Sequence, residues 1–264
     1  MTRRSAIPRL RYRTVFLSDV HLGFRGCSAD YLLEFLDSVD CDTLYLVGDI
    51  IDLWQLKKRP SWPQAHNEVL RTILGKAKHG TRVVYVPGNH DDPARDYVGL
   101  SFGNIRIERE VVHTLANGER LLVLHGDEFD TVVQCSPWAA KCGAVLYAWL
   151  IELNHLVNWG RRRLGWPYWS LAAFLKHKVK NAVQYIGNYE AAVVHAARQR
   201  GVDGVVCGHI HRAEVAELRG LRYLNCGDWV ESCTALAESR DGSIELLHWL
   251  EIRAGRAAPL AVAA

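Results

Sequence analysis

The feature that most constrains this chain is a repeated pairing. An apolar, β-branched run is followed at once by acidic, amide or imidazole side chains. "YRTVFLS" leads to Asp19-Val20-His21, "DTLYLV" to Gly48-Asp49, and "TRVVYVP" to Gly88-Asn89-His90-Asp91. "ERLLVL" leads to His125, and "DGVVC" to Gly208-His209-Ile210-His211. Short runs of this kind read as buried strands, and "ADYLLEFLDSV" and "PQAHNEVLRTILGKAKHG" between them have helical apolar spacing. Strands alternating with helices predict an α/β fold. In such sheets, ligands bind in the loops beyond the carboxyl ends of the strands.

One Asp-x-His or Gly-Asp on its own is more often a turn residue or a satisfied surface histidine than a ligand. Five such groups at successive strand ends point instead to a metal site. The donors are oxygens and imidazole nitrogens without thiolates, which disfavours a cysteine-type structural zinc site and suits manganese, iron or catalytic zinc. They are too many for one ion. Two metals about 3.5–4 Å apart sharing a carboxylate would use them all, and such a pair suits phosphoester hydrolysis.

Composition narrows the class. With 264 residues, 49% of them hydrophobic, the chain can bury a large single core. A charged fraction of 23% and a net charge of +3 are ordinary for a soluble protein. Seven cysteines without a Cys-x-x-Cys pair fit a reducing cytosol. No apolar stretch is long enough for a signal peptide or a spanning helix. The expectation is a cytoplasmic protein, soluble or peripheral on the inner face of the membrane. "IRIEREVVHTLANGERLLVLHGDE" reads as a hairpin with a tight turn at Asn117-Gly118, and the segment from Leu221 to Ile252 as antiparallel strands turning at Asp241-Gly242. Residues 1–11 and 254–264 read as flexible tails. Arg3, Arg4, Arg9, Arg11 and Arg13 are read as solvated, with membrane attraction as the alternative.

Taken in order over residues 14 to 212, Asp19-x-His21, Gly48-Asp49-x-x-Asp52, Gly88-Asn89-His90-Asp91, His125 and Gly208-His209-x-His211 resemble the five motifs of the calcineurin-like metallophosphoesterases. The resemblance implies a four-layer αββα sandwich of two mixed β-sheets, a single domain over residues 1–264. It implies one divalent ion on Asp19, His21, Asp49 and His211 and a second on Asp49, Asn89, His125 and His209, bridged by Asp49. The ions are expected to be Mn2+, although Zn2+ or Fe accept the same donors. His90 would face the substrate as a non-ligand, and Asp52 would fix its tautomer. Asp127 and Asp130 are either further orienters or exposed turn acids.

"FLSDVHLG" and "GDIIDLW" are similar to the UDP-2,3-diacylglucosamine pyrophosphatases of lipid A synthesis. Protein Ser/Thr phosphatases carry an arginine directly after the second motif, where Leu53 and Trp54 stand here. The lipid A enzymes have Gly-Asn-Arg-Asp as their third motif, whereas this chain has His90 in the arginine's place. The expected reaction is hydrolysis of a phosphodiester or pyrophosphate bond in a lipid-linked nucleotide sugar, giving UMP and a lipid phosphate. A nucleotide or general phosphodiesterase, a nuclease and a non-catalytic scaffold of the same fold are the alternatives. Nucleic acid is disfavoured, because the tryptophans are mixed with aliphatics rather than spaced along a basic groove.

Residues 131–188 read as a helical insertion, with Leu146, Trp149, Leu150, Leu153 and Val157 on one apolar face. Arg161, Arg162 and Arg163 and the lysines 176, 178 and 180 make it basic. Such stripes usually pack on each other. The functional alternative is a lid for acyl chains that also contacts the membrane, with Arg95, Trp149, Leu153, Lys176 and Lys180 as substrate contacts.

Overall fold

The computed structural model describes residues 9–131 and 171–255, with side chains for 9–130 and 184–255. The chain divides into two units, Met1–Asp127 with Val194–Ala264, and Glu128–Val193.

All twelve described strands belong to the first unit. β1 (Leu10–Leu17), β2 (Val39–Val47), β3 (Arg82–Val86), β4 (Ser101–Phe102), β5 (Ile105–Ile107), β11 (Thr234–Glu238) and β12 (Ile244–His248) form a seven-stranded sheet in the order β12-β11-β1-β2-β3-β5-β4. β6 (Val111–Thr114), β7 (Arg120–Val123), β8 (Gly204–Cys207), β9 (Glu214–Leu218) and β10 (Leu221–Asn225) form a five-stranded sheet in the order β6-β7-β8-β10-β9. Both sheets are mixed. β1, β2, β3 and β5 run parallel, as do β7, β8 and β10, and antiparallel strands flank each set.

Side chains alternating along the central strands build two apolar layers. Val15 and Leu17 of β1, Leu44 and Leu46 of β2 and Val83 of β3 lie on one face. There they pack with Leu32, Phe35 and Leu36 of α1 (Ala29–Ser38) and Val69, Ile73 and Ala77 of α3 (Gln64–Lys78). The buried positions recur every three or four residues along each helix, the spacing that turns one face inward. Phe35 also meets the rings of Trp229 and Trp249, the latter opening α5 (Trp249–Arg253). Phe16, Tyr45, Val47, Val84 and Val86 point the opposite way and pack against Leu121, Val123, Val206 and Leu224 of the second sheet. This period of two packs one sheet face against helices and the other against a second sheet.

A polar clamp also joins the sheets. Arg13 of β1 donates to the carbonyl of Thr114 in β6 and pairs with the fully buried Glu238 of β11. Glu238 also accepts from Ala116 N at 2.9 Å and lies 2.8 Å from His113 Nε2, while His113 Nδ1 lies 3.2 Å from the Tyr45 hydroxyl.

The structure amends several details read from the sequence. Ile105–Ile107 does not extend the hairpin but pairs in parallel with β3. The hairpin itself is β6–β7. Leu115 N bonds to Glu119 O and Gly118 N to Leu115 O, so three residues make the connection, with Gly118 left-handed at φ 92°. That is the three-residue alternative to a two-residue primed turn. The polar strand ends are not consecutive either, since β4, β5 and β6 intervene between the third and the fourth.

The second unit holds residues 128–131 of a short 3-10 helix (Asp127–Thr131) and most of helix α4 (Leu171–Gln199). Within that unit, Tyr185 donates its hydroxyl to Asp130 at 2.6 Å. Trp149, Leu153 and the greater part of the 131–188 insertion lie outside the described residues, as do 1–8 and 256–264 of the two tails. Lys176 and Lys180 fall on the backbone of α4, in its stretch without described side chains. Among the described residues, no helix is long and apolar enough to cross a membrane.

Candidate metal centre

The loops after β1 and β2 stay side by side once the strands end. Asp19 N bonds to Gly48 O, His21 N to Asp49 O, Leu22 N to Ile50 O and Asp52 N back to Leu22 O. The carbonyl of Asp19 accepts from Trp229 N, and that of His125 from Gly208 N. These bonds bring the donor loops of both sheets together within the first unit.

The backbone at the site is unusual. Asp19, His21, Asp49, His209 and His211 all have positive φ, between 51° and 69°. Among the described residues only Arg219 and Cys233 share that conformation without being glycine. Asp and His tolerate the left-handed region better than most residues, and strained backbone concentrates at functional sites. Glycine is required beside them for space. A Cβ on Gly48 would run into the His125 imidazole, and one on Gly88 into Asp49 Oδ1.

Each aspartate is tied down through one oxygen and presents the other to imidazoles. Asp19 Oδ2 accepts from His209 N at 2.8 Å, and Asp49 Oδ1 accepts from His90 N at 2.8 Å. Asp19 Oδ1 faces His211 Nε2 at 2.9 Å and His21 Nε2 at 3.9 Å. Asp49 Oδ2 has three neighbours: His125 Nε2 at 3.4 Å, His21 Nε2 at 3.9 Å and His90 Nε2 at 4.0 Å. The far nitrogens of these rings are anchored. His125 Nδ1 donates to Val47 O at 2.9 Å. His21 Nδ1 lies 3.1 Å from Asp52 Oδ2, and His90 Nδ1 lies 3.0 Å from Asp52 Oδ1. Asp52 thus serves both histidines, where the sequence reading gave it His90 alone. It also caps α2 (Leu53–Lys58) by accepting from Gln55 N at 2.8 Å.

Three sets of donors converge closely enough for a metal ion: Asp19, His21 and His211; His21, Asp49 and His90; and Asp49, His125 and His209. Asp49 belongs to two of them. Asn89 Oδ1 is buried without a hydrogen-bond partner, an acceptor in want of a cation. His21 Nε2 and His211 Nε2 approach to 3.2 Å, both on the side of Asp19 Oδ1. Oxygen and imidazole donors around buried carboxylates fit divalent ions of the manganese, iron or zinc type.

Electrostatics agree. Burial raises the Asp19 carboxyl, but His211, His125 and His21 outweigh it and hold the group well below the usual range. Burial likewise opposes ionisation of Asp49 and Asp52, and their histidine partners overcome it in both. His125 is pushed down by burial and up more strongly by Asp49, reaching about 10. This pocket favours positive charge.

Asp91, to which the sequence reading gave no role, is a hidden support. It is buried and accepts from Gly88 N at 2.5 Å, Ile50 N at 2.7 Å and Asp49 N at 3.3 Å. It therefore ties the second and third motif loops together. Its position directly after Asn89-His90 was the available signal. Arg95, which the sequence reading offers as a substrate contact, pairs with Asp127 at 2.7 Å and Asp92 at 3.1 Å and donates to Pro87 O.

A two-sheet α/β sandwich with such a cluster at its strand ends defines a metal-dependent hydrolase of the phosphoesterase class. The chain belongs to the calcineurin-like phosphoesterases, whose family model matches residues 12–213. It is a phosphoester or pyrophosphate hydrolase. Curated relatives include UDP-2,3-diacylglucosamine hydrolases. That of Shewanella pealeana is 28% identical over 252 residues, covering 89% of this chain and 98% of the relative. That of Photorhabdus laumondii is 25% identical over 210 residues, covering 78% and 84%. A solved archaeal phosphodiesterase is 11% identical, covering 89% of this chain and 98% of its own, with a TM-score of 0.41.

Proposed function

We propose that this protein hydrolyses the pyrophosphate bond of a lipid-linked nucleotide sugar of the UDP-2,3-diacylglucosamine type, releasing UMP and a lipid phosphate. The reading is carried by the likeness to the Shewanella pealeana hydrolase along nearly the whole of both chains. Asp19, His21, Asp49 and His211 would hold one divalent ion and Asp49, Asn89, His125 and His209 another, with manganese the expected metal. Bound there, two such ions supply positive charge for the phosphoryl oxygens and acidify a water for attack at neutral pH.

The chain's own residues do the rest. Asp49 would be shared between the two ions, and its carboxylate is kept in place because Oδ1 accepts from His90 N. Asp52 keeps a proton on Nδ1 of His21 and of His90, so each Nε2 faces the cluster. His90 is about a quarter exposed, and in its doubly protonated form, which Asp52 favours, its Nε2–H would stabilise a phosphoryl oxygen or pass its proton to the leaving group. In this reading the insertion, with Trp149, Leu153, Lys176 and Lys180, supplies acyl-chain and phosphate contacts and reaches the inner face of the cytoplasmic membrane.

The test compares acylated UDP-glucosamine with the same UDP-sugar without chains, following UMP release in manganese buffer. Burial of acyl chains at about 0.8 kcal/mol per methylene predicts a strong preference for the acylated substrate. Equal rates would favour a general nucleotide phosphodiesterase. His90, standing in place of the arginine of the lipid A enzymes, is what keeps that second reading in view.

A further inference from the structure

Trp54 is a large apolar side chain left 46% exposed, and no packing demand of the core accounts for it. Its ring centre lies 4.3 Å from that of His90, with the planes tilted 32° apart, close enough for ring-on-ring contact. It stands in the first turn of α2, and that turn meets His90 in three ways. Asp52, the cap, holds Nδ1 at 3.0 Å. Leu53 N donates to the His90 carbonyl at 3.1 Å. The indole covers the ring face.

A contact at one ring atom, such as Asp52 Oδ1 at Nδ1, still allows an imidazole to turn about that contact, carrying Nε2 sideways. A flat ring against its face removes that freedom. His21 meets the same imidazole at a right angle, with ring centres 4.6 Å apart.

We infer that Trp54 is a positioning residue for His90, holding the plane of its imidazole so that Nε2 stays directed at the reacting phosphoryl group. This rests on the reading of His90 as the histidine that faces the substrate. Trp54 itself acts only through that ring.

The test uses Trp54→Leu, Trp54→Phe and His90→Ala, alone and combined, in the metal-loaded full chain. Trp54→Leu lowers kcat about tenfold with KM little changed, the pattern of an interaction needed only in the transition state. Trp54→Phe restores most of the rate. In the His90→Ala background, Trp54→Leu costs nothing more, because the ring it positions is gone. A second readout needs no turnover. In the zinc-loaded protein, where no paramagnetic manganese broadens them, the carbon-bound ring protons of His90 lie upfield in the nuclear magnetic resonance spectrum under the indole ring current, move downfield in Trp54→Leu and stay upfield in Trp54→Phe. An undiminished loss in the His90→Ala background, or His90 resonances indifferent to Trp54→Leu, would overturn the inference. Full turnover by His90→Ala alone would refute the assigned role of His90, and the resonances would still decide whether Trp54 orders the ring.

Discussion

Replacing Glu238 by glutamine removes one charge from the clamp between the sheets and keeps the side-chain shape. In the folded protein, burial raises the Glu238 carboxyl, but bonds from His113, Thr14, Ala116 N and Arg13 outweigh it and bring it to about 2, against an ordinary 4.5. A shift of that size corresponds to about 3 kcal/mol of stability at neutral pH. Arg13 is about one-third exposed, so solvent screens part of its share, and about 2 kcal/mol is the working figure. Because the folded value is depressed, the contribution is complete above pH 4.5 and fades as pH falls toward 2. Glu238→Gln should therefore melt roughly 4–8 °C below the parent at pH 7. The gap should narrow through pH 4 and 3 and close near pH 2. Thermal melts of both proteins in chelator across that range isolate this carboxylate from the other acids, which titrate equally in both. Melting points within a degree at pH 7, or a gap that persists at pH 2, would refute the argument.

Four other substitutions address the centre. Asp49→Ala removes the carboxylate proposed to be shared by both ions and should lower both metal content and rate, whereas His90→Ala should retain its metals and lose roughly 10²–10⁴-fold in turnover; elemental analysis beside kinetics separates the two. Asp91→Ala strands the buried amides of Gly88 and Ile50 at about 1–3 kcal/mol apiece and frees the Asp49 loop, so weaker metal binding should accompany a lower melting point. Gly88→Ala drives a methyl into Asp49 Oδ1 and should reduce metal affinity at least as much as any rate measured at saturating metal, a comparison that metal titration settles.

The donors were legible because aspartate, asparagine and histidine directly after apolar β-branched runs have few structural reasons to be there. Their meeting point was legible as well, since parallel strands place their carboxyl ends on one side. What escaped was set by tertiary pairing. "IRIEREVVHT" is one continuous β-forming run, and only the ladder between Val83 and Ile105 sends its first part to the other sheet. Helix α2 has six residues and buries none of them, so it shows no amphipathic period. β9 is an edge strand with no fully buried residue. Asp91 resembled part of a motif, and only the backbone amides around it reveal a structural anchor.

The left-handed conformation shared by Asp19, His21, Asp49, His209 and His211 places this protein's function and its robustness in opposition. A backbone of that kind costs of order 1 kcal/mol for each residue other than glycine, so glycine at a histidine such as His209 should be tolerated by the metal-free fold, whereas at Asp19 or Asp49 it would also strand the amide of His209 or His90. Screens that reward thermal endurance alone would then drift toward inactive proteins, discarding donor side chains one at a time. Activity has to be selected alongside stability for these five positions to survive.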